Sequence, residues 1–170
     1  LVDDLLLLAR MGAAPVRRAE VDLLAVVDRA VADSRAHAAD ARPVTVAVSG
    51  HGHADGDAAA LARVVRNLVD NAVRHAASRV QVHVADGCVG VDDDGTGVAA
   101  ADRERVFERF VRLDDARERE SGGSGLGLAI AREIAREHGG DVVLGTSPLG
   151  GLAATLRLPP PDAAEAARRA

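Results

Sequence analysis

The sequence predicts an α+β domain, with strands in antiparallel hairpins and helices packed on one face of the sheet. Three observations point there. Short β-type runs come in sequence-adjacent pairs, 79–84 with 88–92 and 141–145 with 152–158, which favours antiparallel neighbours. Two amphipathic segments, 58–77 and 127–138, carry apolar residues at helical spacing. Hydrophobic residues make up 48% of a 170-residue chain, enough to build one core of ordinary size.

Each element has its own local reason. Leu5 to Leu8 form a helical apolar stripe that lacks a start signal, closed by Gly12 and Pro15, so 1–14 reads as the end of a longer helix. A short strand at 19–23 and a helix at 24–39, apolar at Val27 and Val31, follow. Pro43 precedes a strand at 44–48. The Gly- and His-rich run 49–56 reads as a loop, after which Asp57 is a natural N-cap for the helix 58–77. Asp86-Gly87 joins the strands 79–84 and 88–92 as a hairpin turn. The stretch 98–124 is long, charged and weakly periodic, with helical spacing only in 101–111; such stretches are often functional. The helix 127–138 stops at Gly139-Gly140, two strands close the sheet, and Pro159 to Pro161 end the domain before a polar tail, 159–170.

Composition excludes several function classes. All 21 basic side chains counted as Lys or Arg are arginine, so neither a P-loop nor a eukaryotic-type protein kinase can be assembled, since both require a lysine on the phosphates. A net charge of −5 without a basic block argues against nucleic acid as partner. The one cysteine, Cys88, provides neither a disulfide nor zinc spacing. No apolar run is long enough to span a bilayer and no signal peptide is visible, so a cytoplasmic chain without membrane contact is expected. There is no Trp or Tyr, and both phenylalanines lie in Val106-Phe107-Glu108-Arg109-Phe110.

Three constellations carry chemistry. On the helix 58–77, Leu61, Val64, Val65, Leu68, Val69, Ala72 and Val73 share one arc, and Arg63, Asn67, Asn71, Arg74 and His75 share the other. Asn is a poor interior helix residue; two in register, followed by Arg and His, could give an oxygen to a hydrated Mg²⁺ and cations to phosphates. A plain solvated face is the alternative. In Val89-Gly90-Val91-Asp92-Asp93-Asp94-Gly95-Thr96-Gly97-Val98, strand alternation turns Asp93 inward with Val89 and Val91. A carboxylate there suits an exocyclic amine such as that of adenine, and Gly95 and Gly97 let a planar ligand approach the backbone; an acidic surface turn is the alternative. Finally, Gly122-Gly123-Ser124-Gly125-Leu126-Gly127-Leu128 opens directly into a helix, whose unpaired N–H groups and dipole favour phosphate.

Together these residues resemble the ATP-binding domain of bacterial sensor histidine kinases, part of the superfamily that also holds gyrase, mismatch-repair and heat-shock chaperone ATPases. Residues 66–75 look like its N box, 93–98 like its first glycine box, 106–110 like its F box and 123–128 like its second glycine box. The resemblance covers nearly the whole chain. It implies a two-layer α/β sandwich over 18–158, with about three helices on one face of a mixed, mostly antiparallel sheet, and a mobile ATP lid over about 98–124. It implies Asn71 as the Mg²⁺ ligand, Asn67, Arg74 and His75 near the phosphates, and Asp93 on the adenine amine. Gly95, Gly97, Val98, Phe110, Gly123, Gly125, Leu126, Gly127 and Leu128 complete the expected nucleotide contacts, with Asn67, Asn71 and Arg74 in catalytic roles. Gly150-Gly151-Leu152 lacks the Ser or Thr of the family's last glycine box, and no ligand contact is expected there.

Where the ATPase branch of the superfamily has a glutamate that activates water, this chain has Asn67, and an amide cannot act as a general base. Phosphoryl transfer from ATP, leaving ADP, to a histidine on a dimerisation hairpin is therefore expected, with a response regulator downstream. None of the six histidines has the acceptor context; residues 1–14 would be the end of that hairpin's second helix. The parent is expected to be membrane-associated and the chain itself monomeric. A serine kinase of the anti-sigma-factor type and a non-catalytic nucleotide-responsive module are the alternatives.

Overall fold

In a computed structural model that describes residues 18–37, 43–111 and 125–159, the elements follow the order β1 (Ala19–Asp22), α1 (Leu23–His37), β2 (Thr45–Gly50), β3 (His53–Gly56), α2 (Ala58–His75), β4 (Arg79–Ala85) and β5 (Cys88–Asp93), then 3₁₀ turns at Ala100–Asp102 and Arg105–Phe107, then α3 (Gly127–Glu137), β6 (Asp141–Thr146) and β7 (Leu152–Arg157). The expected helix end at 1–14, the tail beyond Pro159, Gly123 and the lid residues 112–124 lie outside the described residues.

A five-stranded sheet of order β2-β4-β5-β7-β6 forms one layer. Only β2 and β4 run parallel; β4–β5, β5–β7 and β6–β7 are antiparallel. Val80, Val82 and Val84 of β4 and Val89, Val91 and Asp93 of β5 point to the buried side. The alternate residues Arg79, Gln81 and His83 leave the other face polar, so the helices cover one face only. The α+β arrangement expected from the hairpin pairs, and the two-layer sandwich that the resemblance implies, are thus observed.

α2 supplies the core of the helical layer. Leu61, Val64, Val65, Leu68, Val69 and Ala72 are buried, and each large aliphatic side chain so enclosed contributes roughly 1.5–3 kcal/mol. Asp57 is the N-cap, its Oδ1 accepting from the Ala60 amide at 2.9 Å. Asp22 does the same for α1, accepting from the Leu24 and Ala25 amides. Leu23, Val27, Ala30 and Val31 of α1 and Ile130, Ala131, Ile134 and Ala135 of α3 flank α2 from both sides.

Two expectations need correction. The run 49–56 is not a loop: β2 continues to Gly50, and His53–Gly56 pairs with β1 from Ala19↔Gly56 to Asp22↔His53. Gly52 lies directly against the Ala85–Asp86 backbone, and the Asp86 carboxylate accepts from the His53 amide at 2.8 Å. Glycine here serves close packing, which composition alone reads as a breaker. Residues 101–111 form two 3₁₀ turns and no α-helix. The reason is tertiary: Phe107 is pulled down onto α3, where the Arg132 guanidinium stacks 4.2 Å from its ring centroid.

His138 ties the layer together. It is 1% exposed, with Nδ1 2.8 Å from the Ile134 carbonyl and Nε2 accepting from the Asp57 amide at 3.1 Å. Both bonds are satisfied by the Nδ1–H tautomer. The end of α3 is thereby fixed to the first residue of the α2 cap.

Candidate functional site

The polar row of α2 faces the start of α3. Asn67 Nδ2 donates to the Gly127 carbonyl at 3.0 Å, so this amide's donor is used in holding the glycine turn in place. Asn71, one turn later, is half-buried on the same line, Arg74 is exposed, and His75 is half-buried at the helix end. The His75 carbonyl packs so closely on Gly95 that any Cβ there would collide with it.

Asp93 ends β5 and is buried, 2% exposed. Its Oδ1 accepts from the Gly95 amide at 2.8 Å and the Leu152 amide at 3.1 Å, and its carbonyl accepts from Gly151 at 3.2 Å. Among the described residues no buried side-chain polar atom lacks a partner, so Oδ2, which makes none of these bonds, reaches open space. Asp94 points the other way and fastens the turn to β4. It accepts from the Ser78 and Arg79 amides at 2.9 Å each and from the Ser78 hydroxyl at 2.7 Å. These bonds, that of the Ser78 amide above all, hold its carboxyl far below the usual carboxylate range.

The second glycine run meets the F-box segment. The Phe110 amide donates to the Gly125 carbonyl at 3.2 Å. Both residues sit at positive φ, 66° and 68°, and a Cβ at Gly125 would press on Phe110 Cα at 3.2 Å. Leu126 is fully buried and leads into α3, whose first amides have no partner from the preceding turn. The two phenylalanines part company here: Phe107 packs against the core, whereas Phe110 is 60% exposed.

Arg132 holds this arrangement to the body. It makes two hydrogen bonds to Asp141, at 2.8 and 3.2 Å, and one to Glu104 at 2.7 Å, while stacking on Phe107. The hydrogen bonds to Asp141 hold Arg132 still more firmly protonated, and the same contact keeps the Asp141 carboxyl below its ordinary range. Arg132→Met is expected to cost about 1–2 kcal/mol, since Glu104 is solvent-exposed and screens its share. The depressed Asp141 value makes this contribution present above the ordinary carboxyl pKa of about 3.9 and lost as pH falls below it. Thermal melts should therefore show a gap between wild type and variant at pH 7 that closes below about pH 4; a gap independent of pH would contradict the role given to Asp141.

The structure thus joins Asn67 of α2 to Gly127 at the start of α3, His75 at the end of α2 to Gly95, and Asp93 to Gly95 and Leu152; Asn71 shares the polar arc of α2 with Asn67. Val98 follows the β5 turn, and Phe110 lies against Gly125. Among the described residues there is no group of three or more His, Cys, Asp or Glu side chains able to hold a metal by themselves. Sequence reasoning missed Gly151 and Leu152, because their part is played by backbone amides, and missed Arg132, whose only signal was its place one turn inside α3.

A family model described as the histidine kinase-, DNA gyrase B- and HSP90-like ATPase matches residues 56–162. The sensor histidine kinase CpxA of Escherichia coli (strain K12) is 46% identical over 108 residues, covering 61% of this chain and 24% of that protein. The probable sensor histidine kinase TcrY of Mycobacterium tuberculosis is 37% identical over 172 residues, covering 94% of this chain and 35% of that one. The chain therefore spans about a quarter to a third of the length of these relatives. The crystal structure of the ATP-binding domain of PrrB from Mycobacterium tuberculosis superposes with a TM-score of 0.67 at 34% identity, over 85% of this chain and 98% of that one.

Proposed function

The chain belongs to the histidine kinase-, DNA gyrase B- and HSP90-like ATPase family, which makes it an ATP-binding domain, and from that premise we propose that it is the catalytic domain of a sensor histidine kinase that transfers the γ-phosphoryl group of Mg-ATP to a histidine on a dimerisation hairpin. The observation that carries this reading is Asp93: a buried carboxylate with one oxygen held by two amides and the other facing open space. It is placed to accept from the amine of an adenine lying against Gly95 and Gly97.

The remaining residues fit a nucleotide extended from Asp93. The amides from Gly125 to Leu128, at the positive end of α3, take phosphate oxygens. Asn71 would hold Mg²⁺ through its carboxamide oxygen, a hard ligand of the kind that ion takes. Asn67 marks the end of the row that meets the phosphate-binding turn, Arg74 and His75 close its other end beside Gly95, and Phe110 and Val98 would border the nucleotide. Bound Mg-ATP supplies the transferable phosphoryl group; the chain's part is positioning and charge stabilisation.

Hydrolysis is disfavoured by Asn67. Its nitrogen is committed to the Gly127 carbonyl, and a carboxamide oxygen is no base for water. Asn67 instead holds the phosphate-binding turn against the row that carries Asn71. Residues 18–158 would form the catalytic unit, joined to a hairpin through 1–14, with a response regulator receiving the phosphoryl group afterwards. Such a unit works in the cytoplasm of a membrane-associated parent and has no need to dimerise by itself.

Calorimetric titration with ATP, with and without Mg²⁺, followed by transfer to a supplied histidine-hairpin fragment, tests this. One-to-one binding that tightens with Mg²⁺ and an acid-labile label on the hairpin are expected. Absent binding would favour a non-catalytic interaction module. A label on serine of a separate protein would favour the anti-sigma-factor type of kinase.

A further inference from the structure

We propose that Gly151 and Leu152, at the start of β7, are positioning residues that fix the plane of the Asp93 carboxyl, committing one oxygen to main-chain amides and turning the other toward the ligand. This rests on the reading of Asp93 as part of an adenine site and adds the main-chain grip that orients its carboxyl group. Asp93 Oδ1 is gripped from two directions, by the Gly95 amide at 2.8 Å within its own turn and by the Leu152 amide at 3.1 Å from across the sheet. The Gly151 amide holds the Asp93 carbonyl at 3.2 Å. The strand start approaches so closely that a Cβ at position 151 would collide with Asp93 Oδ1 and carbonyl and with the Gly95 nitrogen. This pair therefore works through backbone groups, which explains why the absent Ser or Thr does not leave the position without a task.

Two donors on one oxygen have a polarity consequence. Rotating the carboxyl group by half a turn exchanges two equivalent oxygens and changes nothing. In an amide the two ends differ: only the carbonyl oxygen can accept from Gly95 and Leu152, because an NH₂ group set there would leave both amides unpaired. In Asp93→Asn the NH₂ group must therefore face the ligand. The outward group changes from acceptor to donor while size and fold are kept.

The experiment compares ATP with inosine triphosphate, which carries a carbonyl in place of the amine, by calorimetry on the full chain. Wild type should prefer ATP by about tenfold or more, since a site built to pair a polar group rejects the analogue that cannot pair. Asp93→Asn should reverse that order. Gly151→Ala should weaken ATP binding and narrow the ATP-to-inosine-triphosphate ratio. If Gly151→Ala fails to fold, as a circular dichroism melt would show, Asp93→Asn still decides. Asp93→Asn retaining a preference for ATP, or losing both nucleotides equally, would overturn the fixed orientation. Wild type binding neither nucleotide would instead remove the adenine reading on which the inference rests. General structural damage lowers both affinities together and does not reverse their order.

Discussion

His138→Ala is expected to be the most destabilising single change in the domain, lowering stability by about 3–5 kcal/mol and the thermal midpoint by about 10–15 °C. Three losses coincide. The imidazole is almost fully enclosed, so its removal leaves a cavity against Gly56, where a Cβ would already lie 2.7 Å from the ring. The Asp57 amide loses its acceptor at the very residue that caps α2. The Ile134 carbonyl loses the side-chain donor and keeps only the amide of residue 138, at 3.2 Å. Alanine replaces none of these, and burial keeps water from restoring them at full strength. Circular dichroism melts of wild type and variant give the answer; a midpoint within about 2 °C of wild type would mean that the α2–α3 joint is held by apolar packing alone.

Asn71→Ala is expected to have the largest effect on the proposed chemistry while sparing the fold. Asn71 is half-buried on the polar arc of α2, opposite the side chains that form the core, and alanine is the better helix former. Stability should change by less than about 0.5 kcal/mol. Phosphoryl transfer to a supplied histidine hairpin should fall by at least about a hundredfold, the scale of removing one preorganised stabiliser of developing charge. ATP affinity should lose its dependence on Mg²⁺. The two readouts belong together. Transfer reduced with the Mg²⁺ dependence intact would shift the metal-binding role away from Asn71.

Much of this architecture was legible because the relevant signals are local. The apolar arc of α2 and the cap at Asp57 follow from helical period and one short acidic side chain. The inward turn of Asp93 follows from strand alternation, and the β4–β5 hairpin from Asp86-Gly87. What stayed hidden depends on contacts between distant segments. β3 has Ala54 as its one buried aliphatic residue, and its strand character comes from pairing with β1, with Gly52 pressed on the Ala85–Asp86 backbone just before it. The 3₁₀ turns replace a helix because Arg132 gathers Phe107 and Glu104 onto α3 and Asp141. The role of Gly151 and Leu152 was invisible for another reason. A side-chain motif was absent, but main-chain N–H groups do the holding, and every residue except proline carries one.

The pairing of β5 with β7 also governs the order in which the protein can assemble. It sets Cys88 against Arg157 and Asp92 against Ala153, so its ends are brought together only after a long stretch of chain has been closed. Such non-local pairings bear a large loop entropy before any contact is gained, and they are slow. The hairpin from β4 to β5 and the cap of α2 need no such closure. Asp93 therefore exists on an early hairpin, yet acquires its grip on Leu152 only when β7 arrives. The grip of Leu152 on Asp93 is a product of the late closure, and a ligand that bound only the completed site would draw the folding equilibrium toward it.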